Sequence, residues 1–400
     1  MAQRGERAFR RGVDALGLAA LLALAASGCS AEEKREAQHS KDTRAIMAEI
    51  YDALRVALPT TADMARFSSP EERPRIQRAL DQLAANADRI EVHTRPEGAS
   101  THFLARSVAR DAHDVERAYR NGQDARAAFL LQQITENCVA CHTRLPSKDT
   151  TIADGFLDQG AMEELALESR AGLLMATRRF DDALVTLEKL LTDPDEHPAL
   201  LMAPLTDYLV LNLRVKDDYE RPVPTLRKVS QHSHIWEQLR RDIEGWITAL
   251  PALHERTRGS PRVDTAREIV NEGRERNRLG DEQSGLVQFV SASAVLERFL
   301  SKHPHAEPGS AEASRLGEAY YLLGLVEARI GRNYWVSEAP FLLERAIRIA
   351  PREPYALEAY RRLENEVLMQ YEGSDEEDID PEEQRRLGEL RILVEPPPPS

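Results

Sequence analysis

The sequence predicts an all-α protein: a four-helix bundle followed by an α-solenoid of helix pairs. Between residues 43 and 146, apolar residues recur at helical spacing, and no stretch shows the alternation of a half-buried strand. Behind this part, segments of repeat length return, each ended by a proline. The chain has 400 residues, 42% apolar and 30% charged, which is typical of a globular body.

Residues 1–28 have the pattern of a bacterial lipoprotein signal peptide. A basic segment precedes twelve apolar residues, Ala15–Ala26, which are too few to span a bilayer. The stretch LAASGC resembles a lipobox, so cleavage would leave Cys29 as a diacylated N-terminus, and two acyl chains give a stable lipid anchor. In the lipoproteins that this segment resembles, an Asp directly after the lipidated cysteine favours retention in the inner membrane. This chain has Ser30 at that position, so we expect sorting to the outer membrane. An ordinary signal peptide with an unrelated cysteine is the alternative.

Residues 29–42 are charged and nearly free of large apolar side chains, which predicts a flexible tether, with the folded part beginning near Thr43. Removing residues 1–28 deletes four arginines and two acidic residues, so the net charge goes from −14 to −16. Nucleic acid and anionic lipid surfaces are poor partners for such a chain, and basic redox proteins or cationic ligands are better ones.

Four helices are expected in the bundle, residues 43–148. Their predicted ranges are Thr43–Leu58, a second from the capping sequence SSPEERP to Ile90, Thr101–Arg120 and Ala125–Arg144. Short breaks between them indicate an up-down-up-down arrangement. This arrangement places the start of the first helix level with the end of the fourth.

The fourth helix carries the sequence CVACH, with Cys138, Cys141 and His142. A zinc site needs a second ligand pair at finger-like spacing, and the downstream histidines are far away and unpaired with cysteine. A redox dithiol needs its first cysteine at a helix N-terminus, whereas Cys138 lies in a predicted helix interior. Haem attachment uses all three chemically active residues of the motif. The two cysteines form thioethers with the haem, and His142 supplies the proximal iron ligand. The motif therefore predicts one covalently attached haem c.

A haem motif that closes the fourth helix of a bundle resembles the class II c-type cytochromes, the cytochrome c prime group, over residues 42–146. Attachment of this kind happens outside the cytoplasm, which agrees with an exported, periplasmic protein. The resemblance implies a bundle that can form a homodimer. In place of the basic residue that the family often carries four positions after the histidine, this chain has Pro146, with Arg144 two positions after.

The sixth iron position decides between electron transfer and gas binding. Members of the resembled family place either Met or a blocking apolar residue on the first helix, and Met47 lies there, near the predicted level of the motif. His102 is the rival candidate, because the third helix begins opposite the end of the fourth. Core packing for Met47 and a capping role for His102 are the plain alternatives.

Residues 160–368 are predicted to form tetratricopeptide-like helix pairs. Glu318–Pro354 resembles such a repeat, with Gly324 and Ala346 at two of its small-residue positions and three residues inserted around Tyr334–Val336. Ala166–Pro194 and Ala266–Pro304 are looser units, and an irregular helical solenoid is the alternative. Stacked helix pairs leave a concave surface, which we expect to bind a periplasmic redox or assembly protein. Residues 369–400 form an acidic, Pro-rich tail with one short helix.

These observations favour a membrane-tethered monohaem cytochrome that carries electrons in the periplasm and binds a protein partner. The alternative is a haem-based gas or redox sensor, or scaffold, with an open distal iron site. A third hypothesis is a periplasmic assembly factor with a structural haem. An enzyme is not expected, because peroxidase-type catalysis needs a distal acid–base pair and the sequence offers no candidate pair.

Overall fold

The computed structural model describes residues 38–95, 98–144, 163, 165–277, 283–330, 338–370 and 379–395. Within these ranges every regular element is helical and there is no strand, which confirms the all-α class. In the same ranges, no helix combines the length and the apolar character needed to cross a bilayer. The predicted signal peptide and the predicted lipid-attachment residue Cys29 lie outside the described residues.

The first four long helices follow the predicted pattern closely. They are α1 (38–57), α2 (Arg73–Thr94), α3 (Ala99–Arg120) and α4 (Asp124–His142). A 3-10 segment, Leu58–Ala62, and a short helix, Met64–Phe67, connect α1 to α2. Helix α3 packs against both α2 and α4, so each of these neighbours along the chain is also a neighbour in space.

The tether prediction is wrong for residues 38–42, which belong to α1. The Gln38 side chain donates to Asp42 one turn later, with Nε2 and Oδ1 2.7 Å apart. The ring of His39 stacks on that of His93 at the end of α2, with centroids 3.8 Å apart. The Thr43 hydroxyl is 2.8 Å from Nε2 of His93. Contact with α2 thus holds the first turns of a segment whose composition alone predicts a loose chain.

The remaining helices follow in pairs and single elements. They are α5 (Leu167–Ala176), α6 (Phe180–Leu191), α7 (Met202–Leu209) with a π-helical turn (Val210–Val215), α8 (Pro222–Ser230), α9 (Glu237–Thr257), α10 (Val263–Asn277), α11 (Leu286–Lys302), α12 (Ala311–Ile330), α13 (Ala339–Ile349), α14 (Pro354–Gln370) and α15 (Pro381–Val394). The three predicted repeat units correspond to the packed pairs α5–α6, α10–α11 and α12–α13. The insertion around Tyr334–Val336 lies outside the described residues.

Part of the predicted tail is packed rather than solvated. Helix α15 rests on α13 and α14, and its residues Leu390 and Val394 belong to a small apolar cluster with side chains of those helices. The short helix expected there is therefore present and has a buried face.

Small residues allow close approach within two of the helix pairs. A Cβ atom added to Gly324 of α12 would lie 3.0 Å from Leu343 of α13 and 3.3 Å from the carbonyl oxygen of Ala339. Between α10 and α11 the approach is closer still, since a Cβ on Gly285 would lie 2.5 Å from the carbonyl oxygen of Gly273. These pairs pack nearly backbone to backbone.

The two predicted halves share one core in the described part of the chain. Buried apolar side chains from Ile46 in α1 to Ala346 in α13 form a single connected cluster, and α4 packs directly on α5. The end of α4, which carries the CVACH motif, therefore lies at the boundary between the first four helices and the rest.

We predict that Gly285→Ala destabilises the protein by about 1–3 kcal/mol, because the added methyl group would press on the backbone of α10. Gly172→Ala is the matched control. Gly172 lies inside α5 with open space around its missing Cβ, so this change should stabilise the helix by roughly 0.5–1 kcal/mol. Urea unfolding of the full chain measures both free energies. Equal stability of the two variants would contradict the close packing of α10 on α11.

Candidate functional site

The motif residues occupy the last turns of α4, as the sequence predicts. Cys138 and His142 are four residues apart and share one face of the helix, with Cys141 beside them. Both cysteines are reduced. Cys138 and His142 are buried, at 6% and 7% exposure, and Cys141 is half-buried. The structure thus gathers the three predicted ligating side chains at one end of one helix.

The environment of Cys138 does not suit a redox dithiol. Burial raises the pKa of the Cys138 thiol to about 12, and the neighbouring Cys141 acts in the same direction. A nucleophilic cysteine of a dithiol motif needs a lowered pKa, because the thiolate is the reactive form. At neutral pH this thiol stays protonated, so the dithiol alternative loses support.

The tautomer of His142 follows from its hydrogen bond. Its Nδ1 is 2.7 Å from the carbonyl oxygen of Ala176, and a carbonyl can only accept, so Nδ1 carries the proton and the lone pair is on Nε2. Burial lowers the pKa of His142 to about 3, helped by the positive charge of Arg178 and opposed by the bond to Ala176. The ring is therefore neutral at neutral pH, in the form that ligates metals through Nε2.

The carbonyl of Ala176 is available because of its position in the chain. Ala176 is the last residue of α5, and the last carbonyls of a helix have no donor within the helix. The next three backbone N–H groups donate to other carbonyls, those of Leu173, Met175 and Leu174. Besides His142, the Tyr51 hydroxyl of α1 donates to the Ala176 oxygen at 2.9 Å. One helix-end carbonyl therefore receives side chains from two other helices.

Two contacts fix the register of α1 and its extension against α4. Gln132 of α4 donates to the hydroxyl of Thr61 at 3.3 Å. Tyr51, ten residues before Thr61, and His142, ten residues after Gln132, both donate to the carbonyl oxygen of Ala176. The two segments therefore run antiparallel, with Tyr51 level with His142. Met47, predicted at the level of the motif, lies one turn, about 6 Å, nearer the start of α1.

The contacts of the two candidates for the sixth iron position match their plain alternatives. Met47 is half-buried and packs against the apolar core, as its plain alternative describes. His102 lies near the start of α3, with its Nδ1 3.2 Å from the carbonyl oxygen of Glu91 in α2. This bond ties the two helix ends together and agrees with the capping role.

The donor set at the end of α4 fits covalent haem attachment. Two reduced thiols lie one turn apart on a helix, and a neutral imidazole beside them has its Nδ1 proton engaged and its lone pair on Nε2. A ligating histidine in proteins generally donates its other ring N–H in this way. Across the described residues, no group of three or more His, Cys, Asp and Glu side chains could hold a metal ion.

Beyond the motif, Arg144 enters a buried ionic cluster. Its side chain is 8% exposed and pairs with Glu297 of α11 at 3.1 Å, with Glu327 of α12 at 2.8 Å and with Glu338 at the start of α13. Arg214, from the π-helical turn after α7, pairs with Glu327 at 2.8 Å. The end of the helix that carries CVACH is thus held by charges from three helices of the second half.

Three carboxylates and two guanidinium groups pair in this cluster, so the acidic groups outnumber the arginines that pair with them. Burial raises the pKa of Glu338 to about 8, and the carboxylates of Glu327 and Glu297 add to this while Arg144 and Arg214 oppose it. Burial also raises the pKa of Glu297. The cluster consequently retains a proton near neutral pH.

Most of these surroundings have no direct signal in the sequence. Tyr51 offered a weak signal, because it is an aromatic residue with a polar tip in a helix whose other core positions are aliphatic. Ala176 has no signal in the sequence, because it acts through its main-chain carbonyl and not through a side chain. The partners of Arg144 come from positions more than 150 residues away, and glutamates are common in this chain.

We predict that Glu338→Gln flattens the pH dependence of stability. The pKa of Glu338 rises from 4.5 to about 8 on folding, so the folded state binds more protons between these values. The stability that this group contributes is complete below about pH 4.5 and is lost as the pH rises towards 8. Relative to wild type, the variant should therefore gain roughly 1–4 kcal/mol in free energy of unfolding between about pH 5 and pH 8.5.

The control for this experiment is Glu358→Gln, which changes a surface glutamate of α14 that is 43% exposed and pairs with Arg362. Its stability should follow the wild-type curve across the same pH range. If wild type and Glu338→Gln lose stability in parallel as the pH rises, Glu338 does not hold the proton.

The chain was compared with protein-family models, with curated proteins and with solved structures, and none of them matches it.

Proposed function

We propose that this protein is a monohaem c-type cytochrome that carries electrons in the periplasm and is tethered to a membrane through lipid on Cys29. One haem c is attached to Cys138 and Cys141, and His142 is its proximal iron ligand. The observation that carries the proposal is the 2.7 Å bond from His142 Nδ1 to the Ala176 carbonyl, because it fixes the neutral tautomer with Nε2 available to a metal.

When bound, the haem would supply an iron that cycles between the ferric and ferrous states. The chain's own residues hold and orient it. The two cysteines, one turn apart on α4, fix the porphyrin to the helix, and the Ala176 carbonyl sets the rotation of the His142 ring. Burial of Cys138 and His142 keeps water away from the ligating atoms, which favours a carrier that changes charge without other chemistry.

In this proposal residues 43–148 are the cytochrome bundle of the class II type, and residues 160–368 are tetratricopeptide-like helix pairs that bind a protein partner. Support for the second part comes from the packed pairs and from the close approach of α12 and α13 at Gly324. The mature net charge of −16 favours a basic redox protein as this partner.

We predict that the full chain, produced with a haem-attachment system and denatured, keeps a covalent haem whose pyridine haemochrome spectrum is of the c type. Cys138→Ala combined with Cys141→Ala removes both thioethers and should abolish it. Cys29→Ala is the matched control, since it changes the third cysteine. That variant should keep the haem and lose membrane association. Haem that remains covalent in the double variant would overturn the proposal.

The spin state separates the electron carrier from the gas sensor. For a carrier with Met47 as sixth ligand, we predict a low-spin spectrum that carbon monoxide leaves unchanged. Met47→Ala should turn it high-spin, while His102→Ala, which changes the residue bonded to Glu91, should not. A wild-type spectrum that is already high-spin and shifts with the gas would contradict the carrier and support the sensor with an open distal site.

A further inference from the structure

We propose that Tyr51 is a positioning residue that sets the electron-donating strength of His142, and with it the haem potential, by sharing the Ala176 carbonyl. This inference rests on the proposed function and deepens it. It assigns a role to a residue of α1 that makes no part of the CVACH motif.

The geometry is that of two donors on one acceptor. The Ala176 oxygen receives His142 Nδ1–H at 2.7 Å and the Tyr51 hydroxyl at 2.9 Å. A carbonyl oxygen has two lone pairs, so it can accept both bonds at once. The next three backbone N–H groups after Ala176 bond to other carbonyls, so they do not compete with the two side chains for this oxygen.

Tyr51 is a permanent donor at this position. Its side chain is buried, at 6% exposure, and burial raises its pKa well above the ordinary value, with the nearby Cys138 adding to the shift. The hydroxyl is therefore protonated at neutral pH and can donate to the Ala176 oxygen. The imidazole N–H does not need the hydroxyl as an acceptor, because it donates to the same Ala176 oxygen.

The hydroxyl weakens the bond that the imidazole makes. The partly positive hydrogens of the O–H and N–H groups lie close together at one oxygen and repel each other. Each bond also reduces the negative charge on the Ala176 oxygen that is available to the other. A weaker Nδ1–H bond leaves less negative charge on the ring, so Nε2 is a weaker donor to iron. Hydrogen bonding to the far side of a ligand is one of the means by which proteins adjust a redox potential. Tyr51 thus favours the ferrous state.

The test is Tyr51→Phe, which removes the hydroxyl and keeps the ring. The ferrous-to-ferric ratio at a fixed ambient potential should fall roughly two- to tenfold, which corresponds to the net energy of one hydrogen bond. The iron–histidine stretching frequency should rise when it is recorded by resonance Raman on the ferrous five-coordinate state, with Met47→Ala added both to wild type and to Tyr51→Phe. Neither reading responds to a loss of general stability.

Tyr119→Phe is the matched control. Tyr119 is fully buried, and its hydroxyl also donates to a backbone carbonyl, that of Phe67, at 2.9 Å. It lies beside the start of α4, some eighteen residues and about 27 Å from His142 along that helix. Its removal should cost a similar amount of stability and leave the potential and the Raman frequency unchanged. Equal shifts in both variants, or no shift in Tyr51→Phe, would overturn the proposal.

A measurement without haem separates this proposal from the proposed function. In the full chain carrying Cys138→Ala and Cys141→Ala, labelled at histidine with nitrogen-15, the Nδ1 proton of His142 should move downfield when Tyr51 becomes Phe. If wild type forms no covalent haem, the proposed function fails while this shift still shows that Tyr51 controls the imidazole bond. If haem attaches and the proton does not move, the role of Tyr51 fails alone.

Discussion

The Ala176 carbonyl is the group on which the arrangement of the site depends. A helix end must satisfy its last carbonyls, and α5 satisfies this one with His142 from α4 and Tyr51 from α1. Burying the imidazole without this partner would leave an unpaired polar group, which costs about 1–3 kcal/mol. The surroundings of the CVACH motif are therefore completed by a main-chain atom that belongs to the second half of the protein.

The ionic cluster around Arg144 joins the same two halves from the other side of the motif. Arg144 follows His142 by two residues and inserts a charge among Glu297, Glu327 and Glu338. Buried pairs of this kind add little net stability, but breaking one is costly because a charge is left uncompensated. The end of α4 is thus held by a neutral carbonyl and by a charged cluster. A displacement of the second half would therefore change the contacts of His142 and Arg144.

This coupling gives the second half of the protein a place in the proposed function. If a partner protein binds the helix pairs, its effect reaches α5 through a connected apolar core and reaches His142 through one hydrogen bond. The proposed electron carrier and the proposed sensor would therefore use this coupling in the same way, because in both the surroundings of His142 depend on the helices of the second half. The two proposals differ in whether a side chain such as Met47 fills the sixth iron position or the position stays open.

The sequence by itself determined the helical class, the bounds of the first four long helices within about five residues, and the grouping of Cys138, Cys141 and His142, because helical periodicity and motif spacing are local properties. It misjudged residues 38–42, whose order comes from contact with His93. Only the tertiary structure decided the tautomer of His142, the level of Tyr51 and the surroundings of Arg144. A main-chain carbonyl has no side-chain signature, and pairings across more than 100 residues depend on packing that no local pattern records.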